Sequence, residues 1–243
     1  MKRTNLILAF GLTAGLLQAI TAEEIIANVE RNEVNERQRI EGSMTINDRF
    51  GSRVKTFISY ASGTDKMLLE FTNREERGQK ILRLEDEIYL YFPEAEEVIH
   101  LQGSALKESV MGSDFSYEDM TGEGDLLELY DVSLLGEENV EGRKNYKVEL
   151  KARKRGVAYP KQEVWVDAET WVMSRANAYS LSGRLLKEME FGDVRKVAGK
   201  YVPHTIIIQD AMKKNSSTEM RIEAVDLQSD LPPNIFSLEE LTW

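Results

Sequence analysis

Lys80-Ile81-Leu82-Arg83-Leu84, Glu85-Asp86-Glu87, Ile88-Tyr89-Leu90-Tyr91-Phe92-Pro93 decides the fold of this chain. Two apolar runs of strand length are joined by three acids and closed by a proline, the pattern of a β-hairpin. The runs are near-continuous rather than alternating. A strand with water on one side alternates, so both faces of these strands are expected to be covered. Met67-Leu68-Leu69-Glu70-Phe71 and Val98-Ile99-His100-Leu101 have the same doubly apolar character.

Toward the N-terminus a period of two persists. Ile40, Met44 and Ile46 alternate with Glu41, Ser43, Thr45 and Asn47. After the turn cluster Asn47-Asp48-Arg49-Phe50-Gly51, the residues Val54, Thr56, Ile58 and Tyr60 share a face. Gly63-Thr64-Asp65 turns the chain into a strand at 66–72. Residues 23–36 differ: Ile25, Ile26 and Val29, with Ala22 preceding, give a short helix with one narrow apolar face. Toward the C-terminus, Tyr146, Val148, Leu150 and Ala152 alternate with charged residues, and strands follow at 163–167, 171–179, 185–191, 201–209 and 218–227. Asp167-Ala168-Glu169-Thr170, Gly183 and Gly199 mark turns, and Pro232-Pro233 ends the series.

Residues 103–130 break the pattern. Met111, Phe115, Tyr117, Met120, Leu126, Leu127 and Leu129 stand there among glycines and acids. Ser116 and Asp119 have the spacing of an N-cap and its acidic N3 residue, and Asp125 is placed to cap a second helix over 126–130. A long irregular insert in a β protein is usually a lid or a binding loop. The expected fold is mainly β (α+β): one large, twisted antiparallel sheet curled on itself, with helices in 23–36 and 116–130.

Lys2 and Arg3, an apolar run over 6–17, and the small residues Ala19 and Ala22 follow the order of a signal peptide. The run is shorter than the ~20 residues of a membrane span. The expected division is a signal peptide at 1–22 and a single domain at 23–243. Cleavage after Ala22 lets the mature chain start as a helix; cleavage after Ala19 is the competing position. The chain has no cysteine, so no lipid-bearing cysteine follows either point and no disulfide braces the fold. Stability must come from an apolar core, which a domain of this size is able to bury. The net charge of −11 leaves no basic stripe for nucleic acid. The compact basic patch at 151–155 reads as a solvated hairpin tip.

Little in the sequence points to catalysis. His100 and His204, the only histidines, both stand in strand patterns. There is no nucleophile elbow, no cluster with zinc spacing and no calcium-loop order among the acids at 85–87, 94–97 and 118–119. No enzyme, metal or cofactor is expected. Two readings of the doubly apolar strands stay open: a plain sandwich core, or a concave apolar cavity holding an acyl chain, with 103–130 as its lid. Met44, Met67, Met111, Met120 and Met173 suit an adaptable surface of the second kind.

Four stretches add a resemblance. They are the hairpin quoted above; Gly112-Ser113-Asp114-Phe115-Ser116-Tyr117-Glu118-Asp119, the most specific; Gly142-Arg143-x-x-Tyr146-x-Val148-x-Leu150; and the closing Phe236-Ser237-Leu238. Together they resemble the outer-membrane lipoprotein-sorting family, relatives of the periplasmic carrier LolA. The resemblance implies an unclosed β-barrel whose open side is covered by helices. It also implies an apolar interior that takes the acyl chains of a lipoprotein, a phospholipid or a fatty acid. The implied setting is the periplasm, between an inner-membrane donor and an outer-membrane acceptor. The candidate lining is Met44, Ile46, Met67, Leu69, Phe71, Leu90 and Phe92, with Met111, Phe115 and Met120 from the lid. The family latches its lid with an arginine near the start of the strand at 66–72; this chain has Gly63-Thr64-Asp65-Lys66 there, which makes Lys66 the candidate substitute. The alternative function is a module that senses lipid or lipoprotein and signals to a membrane partner.

Overall fold

The computed structural model describes residues 19–120 and 126–242. Its strands are β1 (Gln38–Asp48), β2 (Gly51–Ser62), β3 (Lys66–Phe71), β4 (Lys80–Leu84), β5 (Glu87–Phe92), β6 (Glu97–Leu101), β7 (Tyr130–Val140), β8 (Arg143–Ala152), β9 (Lys161–Asp167), β10 (Met173–Tyr179), β11 (Leu185–Val197), β12 (Lys200–Asp210) and β13 (Ser217–Asp226). They form one antiparallel sheet in the order β6-β5-β4-β3-β2-β1-β13-β12-β11-β10-β9-β8-β7. Two meanders, β1 to β6 and β7 to β13, are joined through the β1–β13 pair. The sheet does not close: β6 and β7 are its two edges. The chain between them must therefore travel from one edge to the other, and the irregular insert is that crossing.

The register defines the two faces. Ile46, Thr218, Ile208, Met189, Ala176, Val164 and Val148 are successive cross-strand partners from β1 to β8. Partners in an antiparallel ladder point to the same side, so this row marks one continuous inner face. It carries two apolar clusters. Val148, Leu150, Val164, Val166, Ala176 and Tyr130 pack under helix α1 (Ala22–Glu33). Met44, Ile46, Phe57, Leu69, Phe71, Ile81, Ile88 and Leu90 pack under the insert. Full burial of one such aliphatic or aromatic side chain stabilises by about 1.5–3 kcal/mol.

The outer face of β2 to β5 carries a third cluster. Leu68 and Leu82 meet Leu241, Ile235 and Phe236 of the C-terminal segment, with Tyr60, Tyr89 and Tyr91 around them. Ser237 caps the short helix α4 (Leu238–Leu241), accepting from the Glu240 amide at 3.1 Å. This is why β3, β4 and β5 are apolar on both faces: the insert covers one side and the chain's own tail covers the other.

Two expectations need correction, and one strand was not expected at all. The first helix stops at Glu33, because Val34 is already extended, with ψ 124°. The two helices expected within 116–130 are single turns, α2 (Tyr117–Met120) and α3 (Leu126–Leu129), and the second ends before its expected limit because Tyr130 opens β7. Asp125, expected to cap the second, lies outside the described residues, as do residues 1–18 of the expected signal peptide. Strand β7 itself breaks the period-two rule, since its register shifts between Leu134 and Gly136 and its acids face water at a sheet edge.

Candidate functional site

The segment at 103–120, here the lid, is built from two 3₁₀ turns (Gly103–Lys107 and Val110–Gly112) and α2. It has its own internal ties: the Val110 amide donates to the Phe115 carbonyl at 2.8 Å and the Tyr117 amide to the Glu108 carbonyl at 3.2 Å. Met111 stands at φ 51°, a left-handed backbone unusual for a side chain of that size, and Gly112 follows at φ 78°. That double reversal presses Val110, Met111, Phe115, Tyr117 and Met120 onto the inner face. All three expected lid residues, Met111, Phe115 and Met120, thus pack on one cluster with six of the seven expected lining residues. The exception is Met67. Its partners are Ala61 and Arg83, beyond the Leu69–Ile81 pair, and it sits outside the cluster. Phe57, Ile81 and Ile88 belong to the same surface and were not anticipated. Phe57 lies over Gly42, where a Cβ would come within 2.9 Å of its ring.

Polar groups hold the lid down at two places. The first is Asp114, almost fully buried. Its carboxylate accepts from Thr218 Oγ1 at 2.8 Å, Ser216 Oγ at 2.9 Å and the Asp210 amide at 3.2 Å, while its own amide donates to Thr218 Oγ1 at 2.9 Å. Lys213 adds a bond from Nζ to Ser109 Oγ at 2.8 Å and another to the Ser113 carbonyl. This anchor ties the lid to the β12–β13 hairpin. The most specific motif of the sequence is therefore an anchoring device.

The second place is an ion pair between Lys187 of β11 and Asp119 of α2, with side chains only 10 % and 9 % exposed. Lys187 Nζ also reaches Ser116 Oγ at 3.2 Å, and Tyr159 donates its hydroxyl to Asp119. Asp119 in turn accepts from the Ser116 amide at 2.7 Å, the capping contact that the spacing implied. Lys66 plays no part here: it is exposed and shares the outer face with Leu68. A recess of about 270 Å³ adjoins the ion pair, lined in part by Lys107, Glu118, Tyr159, Leu186 and Met212. Burial pushes the Glu118 carboxyl above its usual range, against the pull of Lys107.

A second recess of about 740 Å³ lies by the β7–β8 and β9–β10 turns, lined by polar groups including Arg143, Asn145, Asp167 and Arg175. The β7–β8 turn has both central residues in the left-handed region, Glu141 at φ 52° and Gly142 at φ 83°. It delivers Arg143 to Asp167. Asp167 also accepts the Glu169 amide at 3.0 Å and the Thr170 amide at 2.8 Å. Burial opposes its ionisation, but Arg143 and these donors outweigh that and hold its pKa at about 2. This clamps β8 to the end of β9 and to the turn that follows it. His100 stacks on Tyr89 with ring centroids 4.5 Å apart, and His204 is buried with Nδ1 3.0 Å from the Val202 carbonyl. Among the described residues no group of three or more His, Asp or Glu side chains is placed to hold a metal ion.

Residues 63–243 match the model of a protein family described as "Uncharacterized protein". The chain belongs to that family. No curated protein matches it. Solved structures match along nearly the whole chain. A DUF1329 family protein from Desulfovibrio piger is 25% identical, with a TM-score of 0.84, covering 90% of this chain and 97% of its own. A putative outer membrane lipoprotein-sorting protein domain from Vibrio parahaemolyticus is 23% identical, with a TM-score of 0.81 and the same coverage. A LolA superfamily protein from Nitrosomonas europaea is 23% identical, with a TM-score of 0.76, covering 91% of this chain and 100% of its own. The fold is LolA-like: an unclosed antiparallel sheet with few helices. In this family member the lid is tied by Asp114 and Asp119, and the inner face beneath it is apolar.

Proposed function

We propose that the protein carries acyl chains on its inner face, taking up those of a lipoprotein or of another lipid when the lid lifts. One observation carries this reading. A single continuous apolar face has two separate covers, and the one over β1 to β5 is a short non-sheet segment held by a few polar ties. Met44, Ile46, Leu69, Phe71, Leu90 and Phe92 are the surface that an acyl chain would replace the lid on, and Met67 extends it. Each buried methylene contributes about 0.8 kcal/mol, so a long chain displaces Met111, Phe115 and Met120 without net loss of apolar contact. The LolA-like fold supports the same role, and the work is binding and transfer rather than catalysis.

Export supports the reading. The signal-peptide pattern at residues 1–22 supports a periplasmic setting. Among the described residues no helix is long and apolar enough to cross a membrane. Of the two cleavage positions the packing favours Ala19. Ile20 rests on the inner cluster, and Thr21 caps α1 through a reciprocal box with Glu24. N-terminal sequencing of the exported protein should begin at Ile20. Native mass spectrometry of that protein tests the carrier role. Bound lipid, or uptake of a fluorescent fatty acid, is expected; an empty protein that takes up neither contradicts it.

A further inference from the structure

Lys187 is on the inner face. Its partners across the ladder are Ala178 and Asp210, and Met189, two residues on, lies in the row that joins the apolar clusters. A lysine is costly at such a place unless an anion accompanies it. Asp119 is that anion, and it belongs to the lid. When the lid lifts, Asp119 leaves with it and Lys187 stays on the sheet. Asp114 leaves with the lid too, and the carboxylate that stays beside Lys187, that of its cross-strand partner Asp210, accepts the Met212 amide at 2.8 Å. An acyl chain alone replaces the lid's apolar side chains but leaves Lys187 without its counter-charge.

We propose that the ligand is an acyl compound with an anionic headgroup, a carboxylate or a phosphate ester, and that Lys187 exchanges Asp119 for that headgroup. Asp119 is then the occupant of the headgroup position in the closed state. This rests on the carrier reading and adds the chemistry of the ligand's polar end. The recess beside the pair, lined by Lys107, Tyr159, Leu186, Lys187 and Met212 among others, is where the headgroup would enter. Charge-assisted hydrogen bonds are the strong ones, so the headgroup should matter measurably.

The test compares cis-parinaric acid with its methyl ester, by fluorescence titration of the full exported protein. The two share the chain and differ in charge. The acid is expected to bind about tenfold tighter or more. Lys187→Met should reduce that preference to about threefold or less while keeping ester binding. Asp119→Asn should raise affinity for the acid several-fold, a gain that misfolding does not produce. Inorganic phosphate alone should not displace the acid. Equal binding of acid and ester to the natural protein overturns the headgroup assignment and leaves the carrier reading standing. So does an acid preference that survives Lys187→Met. Displacement by inorganic phosphate makes the position a free-anion site, which also overturns it. Failure of both probes to bind overturns the carrier reading together with it.

Discussion

The two covers of the inner face are made differently. Helix α1 is twelve residues long, has a complete capping box, and buries Ala22, Ile25, Ile26 and Val29 as one stripe. Its hold is apolar, with Asn32 bonding the Tyr201 backbone at 2.7 Å and 3.0 Å as a pin. The lid has no helical turn longer than five residues. It holds a strained methionine and is fixed by Asp114 and by Asp119. Apolar contact is lost gradually over a wide surface, whereas a buried ion pair is lost at once when one partner moves. The first design suits a permanent wall and the second a cover that opens.

That contrast is broken or sharpened by substitution. The largest effect is expected at Ile25→Ala in α1, a loss of about 2–5 kcal/mol of global stability, read from the urea midpoint. A midpoint shift below ~1 kcal/mol would make α1 as removable as the lid. Asp119→Asn should act locally. Hydrogen exchange of the lid amides should speed by the equivalent of about 1.5–3 kcal/mol, while the α1 amides stay as protected as before. Equal loss in both covers would show that they open as one unit.

The Arg143–Asp167 clamp lies away from both covers and reports on the frame of the sheet. The folded pKa of Asp167 is depressed to about 2 from 3.8, so its contribution is full above the unfolded value and is lost as pH falls through about 2. The stability gap between the natural protein and Asp167→Asn should be about 2 kcal/mol near neutral pH and should close in strong acid. A gap that persists there would assign the effect to something other than ionisation. The smallest effect is Thr21→Ala, about 1 kcal/mol from loss of the α1 cap, measured by thermal unfolding. No change would remove the structural case for cleavage at Ala19.

Much of this was legible from the residues. The strands from β1 to β6 and the hairpins of the second half declare themselves through alternation and turn chemistry. The doubly apolar β3 to β5 announced two covers, although the outer one, around Phe236 and Leu241, needed three-dimensional contacts to identify. Strand β7 was not legible, because a register shift at Leu135 and exposed acids erase its period. The lid declares itself by its lack of pattern, and two short helices by the spacing at Ser116 and Asp119 and by Asp125, with only the end of the second set too late. Leu126–Leu129 has helix-forming residues, yet the chain must reach the β7 edge at Tyr130 and has no room to continue. Lys187 carries no local signal at all. It stands in a strand of alternating residues like any surface lysine, and only the register and the lid above it reveal that it is buried.

The central claim is that the lid, and not α1, uncovers the acyl-binding face. Hydrogen–deuterium exchange of the exported protein, with and without saturating cis-parinaric acid, tests it most directly. The expected result is loss of protection at residues 103–120 on ligand binding, with α1 unchanged and Met44, Ile46 and Phe71 remaining in protected strands. Loss of protection in α1 with an unchanged lid, or no change in either while ligand is bound, would contradict it.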